Sequence, residues 1–345
     1  MSSHMNISQD LKSADVEHQQ GAVFMCAPIL ILGFNRPDLA RQQFRNIAPY
    51  KPAKVFFAVD GGRTEEEREL CKATQSAVKE ISWPCELKTF FREENRSCRN
   101  APPEAISWFF ENVDYGIILE DDCYPAPGFL RFATELLERY RHDERIGAIT
   151  AFNRHNLQTD HSCSYHFSKE FSVWAWASWR RVWENYDVTM ERYRTNIKAL
   201  IRSHTQNGRM RQYWEKCFQA VMDGSLITWD YQVDCMFMAH NYMSVVPRER
   251  LVANKGIGLP TAVHTGGYDF FAEEFERYGN VTFPLIHPQS IEPDKMVDDR
   301  NERMLMGTVP WILNTAGNLL PSFLRPMITL IGRMIYFISP RLFEL

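Results

Sequence analysis

The sequence predicts an α/β fold, with a mostly parallel central sheet flanked by helices and a helical, apolar C-terminal tail. Two observations carry this. Short apolar runs alternate with helix-like segments through the first 120 residues, the pattern of βαβ units whose strands are buried on both faces. Several of these runs stop abruptly at polar or glycine-bearing strings, FNRP, VDGG and LEDD, and in parallel sheets such strand ends open onto the ligand crevice.

Taken in order, residues 28–32 (PILIL) read as a buried strand closed by Gly33, Asn35 and Pro37, with Asp38 suited to a helix start. A second strand, KVFFAV at 54–59, runs into Asp60, Gly61 and Gly62, and the acidic stretch 64–67 opens the next helix. Residues 85–91 give a third strand and 115–119 a fourth. Between them, 104–111 reads as a helix with Ile106, Trp108, Phe109 and Phe110 inward. Further on, 128–141 reads as a helix and 146–151 as a strand, and the segments after Ser172 and Met210 read as helices rich in Trp and Arg. No repeat or low-complexity linker interrupts residues 23–305, which are expected to form one catalytic unit. Residues 1–22 read as a cloning remnant (MSSHM) and a polar leader without the apolar core of a signal peptide.

A net charge of −4 leaves no global basic field, which argues against nucleic acid as a main partner. The eight cysteines form no CxxC pair and no zinc spacing, so they read as reduced thiols of a cytoplasmic protein.

Four motifs carry chemistry. In GIILEDDCYPAPGF three carboxylates, Glu120, Asp121 and Asp122, directly follow an apolar strand. Like charges this close are hard to keep ionised in a protein interior without a cation. A hard dication, Mn²⁺ or Mg²⁺, held by one or two carboxylates and completed by phosphate oxygens and water, relieves the repulsion. The other reading is a solvated acidic turn that caps the next helix. In 172–179 (SVWAWASW) Trp alternates with small residues, so Trp176 and its neighbours either wall a sugar cleft or pack the core. In TWDYQVD, Asp230 and Asp234 lie four apart, on one face of a helix that starts near Asp230. Asp230 there is either a general base for an acceptor hydroxyl or a plain helix cap. The loop 248–265 brings Lys255, Gly256 and Gly258, suited to folding backbone N–H groups over a diphosphate. It ends near His264, a metal or phosphate ligand or else a structural histidine. No GxxxxGK[ST] or GxGxxG string is present, which excludes a P-loop and a dinucleotide fingerprint.

The order FNRP, VDGG, LEDD, WAWASWRRVW, TWDYQ, GIG with HT, and His287-Pro288 resembles bacterial nucleotide-diphospho-sugar transferases of the GT-A fold. It is more distantly similar to the eukaryotic N-acetylglucosaminyltransferase that initiates complex N-glycans. The resemblance runs over residues 28–300 and lies in the order of motifs. It implies an inverting transfer from a nucleotide-sugar donor, UDP-sugar favoured, to a glycan or lipid-linked acceptor in bacterial surface polysaccharide assembly. By match, Asp122 would be the direct metal ligand, Glu120 and Asp121 would contact ribose and donor sugar, and Asp230 would be the catalytic base. Arg36 and Asp60 would lie near the nucleotide, with Asn35 beside Arg36 at the strand end as a further candidate for donor binding, and His264 would lie in the loop that closes over the donor. Tyr231 stands where the relative has a second Asp, so acceptor choice does not carry over. The contrasting class is a non-catalytic protein of the same shape that binds sugar or nucleotide.

In the tail, residues 306–345, Arg325, Arg333 and Arg341 recur every eight residues among apolar ones, while Pro321 and Pro326 break any clean spanning run. This composition suits an interfacial helix at the inner face of the cytoplasmic membrane, or else packing on a second subunit in a homo-oligomer.

Overall fold

The computed structural model describes residues 24–154, 156, 162–257 and 275–306, with single positions between 312 and 332. The chain is a mixed α/β protein built on an eight-stranded sheet in the order β3-β2-β1-β4-β8-β6-β9-β7. Its strands are β1 (Ile29–Gly33), β2 (Lys54–Val59), β3 (Glu86–Phe91), β4 (Tyr115–Glu120), β6 (Ile146–Thr150), β7 (Tyr165–Ser168), β8 (Trp176–Trp179) and β9 (Met243–Pro247). The first four are mutually parallel; β8 runs antiparallel between β4 and β6, and β7 is an antiparallel edge strand on β9. The mostly parallel sheet expected from the sequence is therefore present, with two reversed strands.

The helices are α1 (Pro37–Ile47), α2 (Glu65–Gln75), α3 (Ser97–Asn112), α4 (Phe129–Arg139), α5 (Arg180–Trp183), α6 (Ile197–His204), α7 (Gly208–Met222), α8 (Asp230–His240) and α9 (Lys295–Met306). Local chemistry explains their starts. Pro37 stands at the first turn of α1, where its missing N–H costs nothing. The Thr64 side chain accepts from Glu67 N, with three glutamates in the first turn of α2. Helix α3 begins seven residues before the position read from the sequence, and Pro102 and Pro103 lie inside it; prolines that remove helical hydrogen bonds hid its first turns.

The segment after Ser172 is a correction: it enters the sheet as β8 before the single turn of α5. Alternation decides it. Trp176 and Trp179 differ in parity and so face opposite sides of the sheet; Trp176 meets Phe171 and Trp183, while Trp179 Nε1 donates to Leu137 O on α4.

The main core follows the sheet, with Ile29, Leu30, Ile31, Phe56, Phe57, Phe109, Ile117 and Leu119 all essentially inaccessible. A second, smaller core of Met190, Tyr193, Ile201, Phe218, Val221, Cys235 and Met238 binds α6, α7 and α8 together. No disulfide joins any of the eight cysteines. Among the described residues no helix is long and apolar enough to cross a membrane; most of the tail lies outside them.

Candidate active site at the sheet switch point

Chain order places the site. From β1 the chain moves outward to β2 and β3, then returns to the other side of β1 as β4. Ligands of open α/β sheets bind beyond the strand ends where the order reverses in this way. Here the crevice lies between the end of β1, carrying Asn35 and Arg36, and the end of β4, carrying Glu120, Asp121 and Asp122.

A side chain that the sequence reading missed fixes this corner. Gln43 on α1 is fully buried, and its Nε2 donates to Glu120 O at 2.9 Å and Cys123 O at 2.8 Å. These bonds satisfy the carbonyls of the acidic turn. The signal was available: Gln43 is a polar residue within the apolar stripe of Ala40, Phe44 and Ile47, and such a group must find partners.

Arg36 Nη1 lies 2.5 Å from Asp122 Oδ2 and 3.5 Å from Asp121 Oδ1. The sequence argument gives the relief of acidic repulsion to a dication; in this structure a guanidinium is already there. Burial opposes the charge of Arg36, but Asp121, Asp122 and Glu120 together outweigh it and hold the group above its ordinary value. One cation does not balance three acids. Burial, then Asp122, Asp121 and Asp230, push the Glu120 carboxyl well above the carboxylate range against the pull of Arg36. Burial likewise lifts Asp121 to about 7 although Arg36 opposes it.

The small antiparallel sheet of β5 (Cys123–Pro125) and β10 (Val252–Asn254) pairs Cys123 with Asn254 and lays the following loop on the acidic turn. Lys255 N donates to Asp122 O at 2.8 Å, and Gly256 N to Asn254 Oδ1 at 2.8 Å. The backbone at Gly256 comes so close that an added Cβ would stand 2.2 Å from Asp122 Oδ2 and 3.2 Å from Arg36 Nη1. Lys255 behaves differently: its Nζ donates to Glu276 O at 3.0 Å. Gly258 and His264 lie outside the described residues.

Asp230 opens α8. Thr228 Oγ1 donates to its Oδ1, as does Tyr231 N at 2.9 Å, and the helix N-terminus favours its negative charge. Its charge acts on Glu120, which puts the start of α8 within electrostatic reach of the end of β4. At the start of α3, burial, then Glu120, Asp230 and Asp60, push the Cys98 thiol up to about 12. Glu120, Asp230 and Asp60 thus all lie within electrostatic reach of one thiol.

Asp60 is 8% exposed and accepts from Arg96 N and from Asn95 Nδ2 at 3.0 Å. Gly61 permits this clasp, because a Cβ there would stand 2.4 Å from the Glu94 carbonyl carbon.

Trp176 is a correction to the cleft-wall reading. At 1% exposure it has no face to offer a ligand. It packs edge-on to Phe171 and near Trp183, which stacks on Tyr186 at 4.4 Å; Tyr186 Oη in turn donates to Trp229 O at 3.2 Å, next to Asp230. The tryptophan-rich block supports the turn that holds Asp230.

Among the described residues no three His, Cys, Asp or Glu side chains are grouped so as to hold a metal ion alone.

No family model and no curated protein matches the chain. Solved structures with partly similar folds include a cytidylyltransferase from Leptospira borgpetersenii serovar Hardjo-bovis, 12% identical with a TM-score of 0.31, where 48% of this chain spans 64% of that one. A second is the 4-diphosphocytidyl-2C-methyl-D-erythritol synthase of Anaerococcus prevotii, 9% identical with a TM-score of 0.29, covering 55% of this chain and 84% of that one. A third is a UDP-glucose pyrophosphorylase complexed with UDP-glucose, 9% identical with a TM-score of 0.32, covering 65% and 91%. At this level the likeness fixes no activity.

Proposed function

We propose that the chain is an inverting glycosyltransferase of the GT-A type, moving a sugar from a nucleotide-diphosphate donor, UDP-sugar favoured, to a glycan or lipid-linked acceptor. The observation that carries this reading is the Arg36–Glu120–Asp121–Asp122 corner at the switch point, with Asp230 near enough for its charge to act on Glu120. A donor whose diphosphate lies at Arg36, Asp122 and the Gly256 loop would direct its sugar toward Glu120 and Asp230. Asp230, with Oδ1 held by Thr228 and Tyr231 N, then takes the proton of the attacking hydroxyl through its other oxygen. A single displacement inverts the anomeric configuration.

Burial and then the neighbouring carboxylates raise Glu120; a hard dication relieves the carboxylate part, so Mn²⁺ or Mg²⁺ fits the donor set. Asp122 would hold it, with the remaining positions filled by diphosphate oxygens and water. When bound, the ion would neutralise the departing diphosphate. Arg36 has to release Asp122 Oδ2 for this, and then lies ready for the phosphates. The apolar, basic tail fits attachment at the inner face of the membrane, where lipid-linked acceptors are assembled.

The test is product analysis with a panel of UDP-sugars, Mn²⁺ and glycan or lipid-linked acceptors. Release of UDP with transfer of the sugar, lost in Asp230→Asn with donor binding retained, supports the reading. Formation of pyrophosphate from a sugar phosphate and a nucleoside triphosphate overturns it in favour of nucleotidyl transfer. Undiminished transfer by Asp230→Asn removes Asp230 from the role of base.

A further inference from the structure

The two edges of the sheet differ. Strand β7 ends one side, and residues 286–294 tie onto it: Ser164 N donates to Ile286 O at 2.8 Å, Ile286 N to Ser164 Oγ at 2.9 Å, and Asp294 N to Phe167 O at 2.7 Å. Strand β3 ends the other side, and among the described residues no strand pairs with its outer edge. A bare edge strand is a ready template for a further strand, and its own residues decide which one fits.

Parity fixes which backbone groups point outward. Glu86 N donates to Ala53 O at 2.8 Å and Arg92 N to Val59 O at 3.0 Å, so the even-numbered residues turn their N–H and C=O toward β2. Leu87, Thr89 and Phe91 therefore turn theirs away from it, and all three residues are exposed, Leu87 by 38% and Phe91 by 36%. A lysine is a common guard of such an edge. Lys88 is instead engaged with its own fold, where its Nζ donates to Asn112 Oδ1 on α3 at 2.6 Å.

The strand is complementary to itself. In antiparallel pairing about a twofold axis at Thr89, the residues with outward groups face one another as hydrogen-bonded pairs, Thr89 with the second copy's Thr89 and Leu87 with its Phe91. The pairs between them set Glu86 against Arg92 and Lys88 against Phe90. Apolar thus meets apolar, opposite charges face each other and no like charges are opposed, the cross-strand combinations that stabilise a ladder. Arg92 keeps its bond to Glu104 at 2.9 Å, so Glu86 arrives beside a cation already held in place. An axis at Leu87 or Phe91 has the same parity but leaves much of the strand, Glu86–Phe91, without a partner.

We propose that β3 is the contact between two copies of this chain, joined edge to edge about Thr89 so that one sheet runs through both. The proposal is independent of the glycosyl-transfer reading. The chain leaves β3 directly into Asn95 and Arg96, which hold Asp60, so the joint adjoins in sequence the loop that clasps this residue.

The experiment is sedimentation velocity of the full chain over a concentration series, with variants at the axis. The expected result is a dimer for the parent and its loss in Thr89→Glu, which sets like charges opposite each other, and in Thr89→Pro, which removes an outward N–H that β2 does not use. Residue 89 is exposed, and thermal melts read whether each variant folds; if Thr89→Pro does not, Thr89→Glu decides. Oxidative cross-linking reads the register, with the parent, whose cysteines are free, as the blank. Thr89→Cys should give a disulfide-linked dimer, because residues paired across the axis stand ~5.5 Å apart at Cα. Leu87→Cys should not, because its two copies stand about 14 Å apart at ~3.4 Å per residue. A parent that stays monomeric throughout the series, a dimer that survives Thr89→Glu, or equal cross-linking from positions 87 and 89 overturns the proposal.

Discussion

Replacing Gly256 by Ala tests the geometry of the donor corner with the smallest available change. The Gly256 backbone has no positive φ, so alanine adopts it without strain and the methyl group is the whole perturbation. That methyl would stand 2.2 Å from Asp122 Oδ2 and 2.9 Å from its Cγ, inside the 3.0 Å below which real Cβ contacts essentially never occur. Two reliefs are open. Asp122 can swing aside and lose its bond to Arg36, or the loop can lift and lose the bonds from Lys255 N and Gly256 N. Either one spoils the place where the diphosphate and its ion would sit. Overpacking of this kind costs about 1–3 kcal/mol, and at about 1.4 kcal/mol per decade the affinity for UDP with Mn²⁺ should fall roughly 5- to 150-fold. Gly256 is itself buried, so the same overpacking strains the folded state and the melting temperature should fall by a few °C as well. Calorimetric titration of both proteins with UDP and Mn²⁺ reads the first quantity, and a thermal melt the second. Equal UDP affinity in the two proteins would show that the nucleotide does not sit at Asp122, and the argument for this corner would fail.

Gly61→Ala should act on folding: its methyl would meet the Glu94 backbone at 2.4 Å, and backbone cannot yield as a side chain does. A loss of several °C in melting temperature is expected, about 1–3 kcal/mol, and an unchanged melt would contradict the close approach. Gln43→Leu keeps volume but leaves Glu120 O and Cys123 O without their donor; a cost of about 1–3 kcal/mol in urea unfolding, with weaker UDP binding, is the expected outcome. Glu170→Gln tests a buried acid. Burial raises the Glu170 carboxyl to about 8, so between its ordinary pKa and 8 the folded state holds a proton that the unfolded state has lost. Stability then falls as pH rises through that window. Glutamine removes the effect: the variant should melt higher than the parent at pH 8.5, with the gap closing as pH drops toward 4. A gap of constant size would refute the shift.

Much of the fold was legible because its signals are local. The apolar runs of β1, β2 and β4 and the acidic start of α2 announce themselves within a few residues. What failed to show was decided by partners far away in sequence. The tryptophan-rich block carries no periodicity that separates a buried strand from a helix, and only its pairing with Tyr115–Ile118 and Ile149–Thr150 makes it β8. Its aromatic content suggested a sugar platform, yet large rings fill cores more often than clefts, and Trp176 follows the commoner course.

The candidate site shows the same division more sharply. Glu120, Asp121, Asp122 and Asp230 stand out by residue type and context, but the relation that gives them meaning, Asp230 within the field of Glu120, spans more than 100 residues and appears in no local window. Arg36 is the instructive case. The sequence places it near the nucleotide by resemblance alone; in space it also answers part of the charge problem that the sequence argument assigns to an ion. The acids are thus held together before any donor arrives, at the cost of an unrelieved surplus on Glu120 and Asp121. That surplus gives a direction to binding: a cation and a diphosphate entering together would free Arg36 for the phosphates and let Glu120 ionise. Proton release on binding is the measurable consequence. Titration of UDP with Mn²⁺ in buffers of different ionisation enthalpy should yield heats that vary with the buffer near pH 7, and heats independent of buffer would mean that Asp121 and Glu120 take no part.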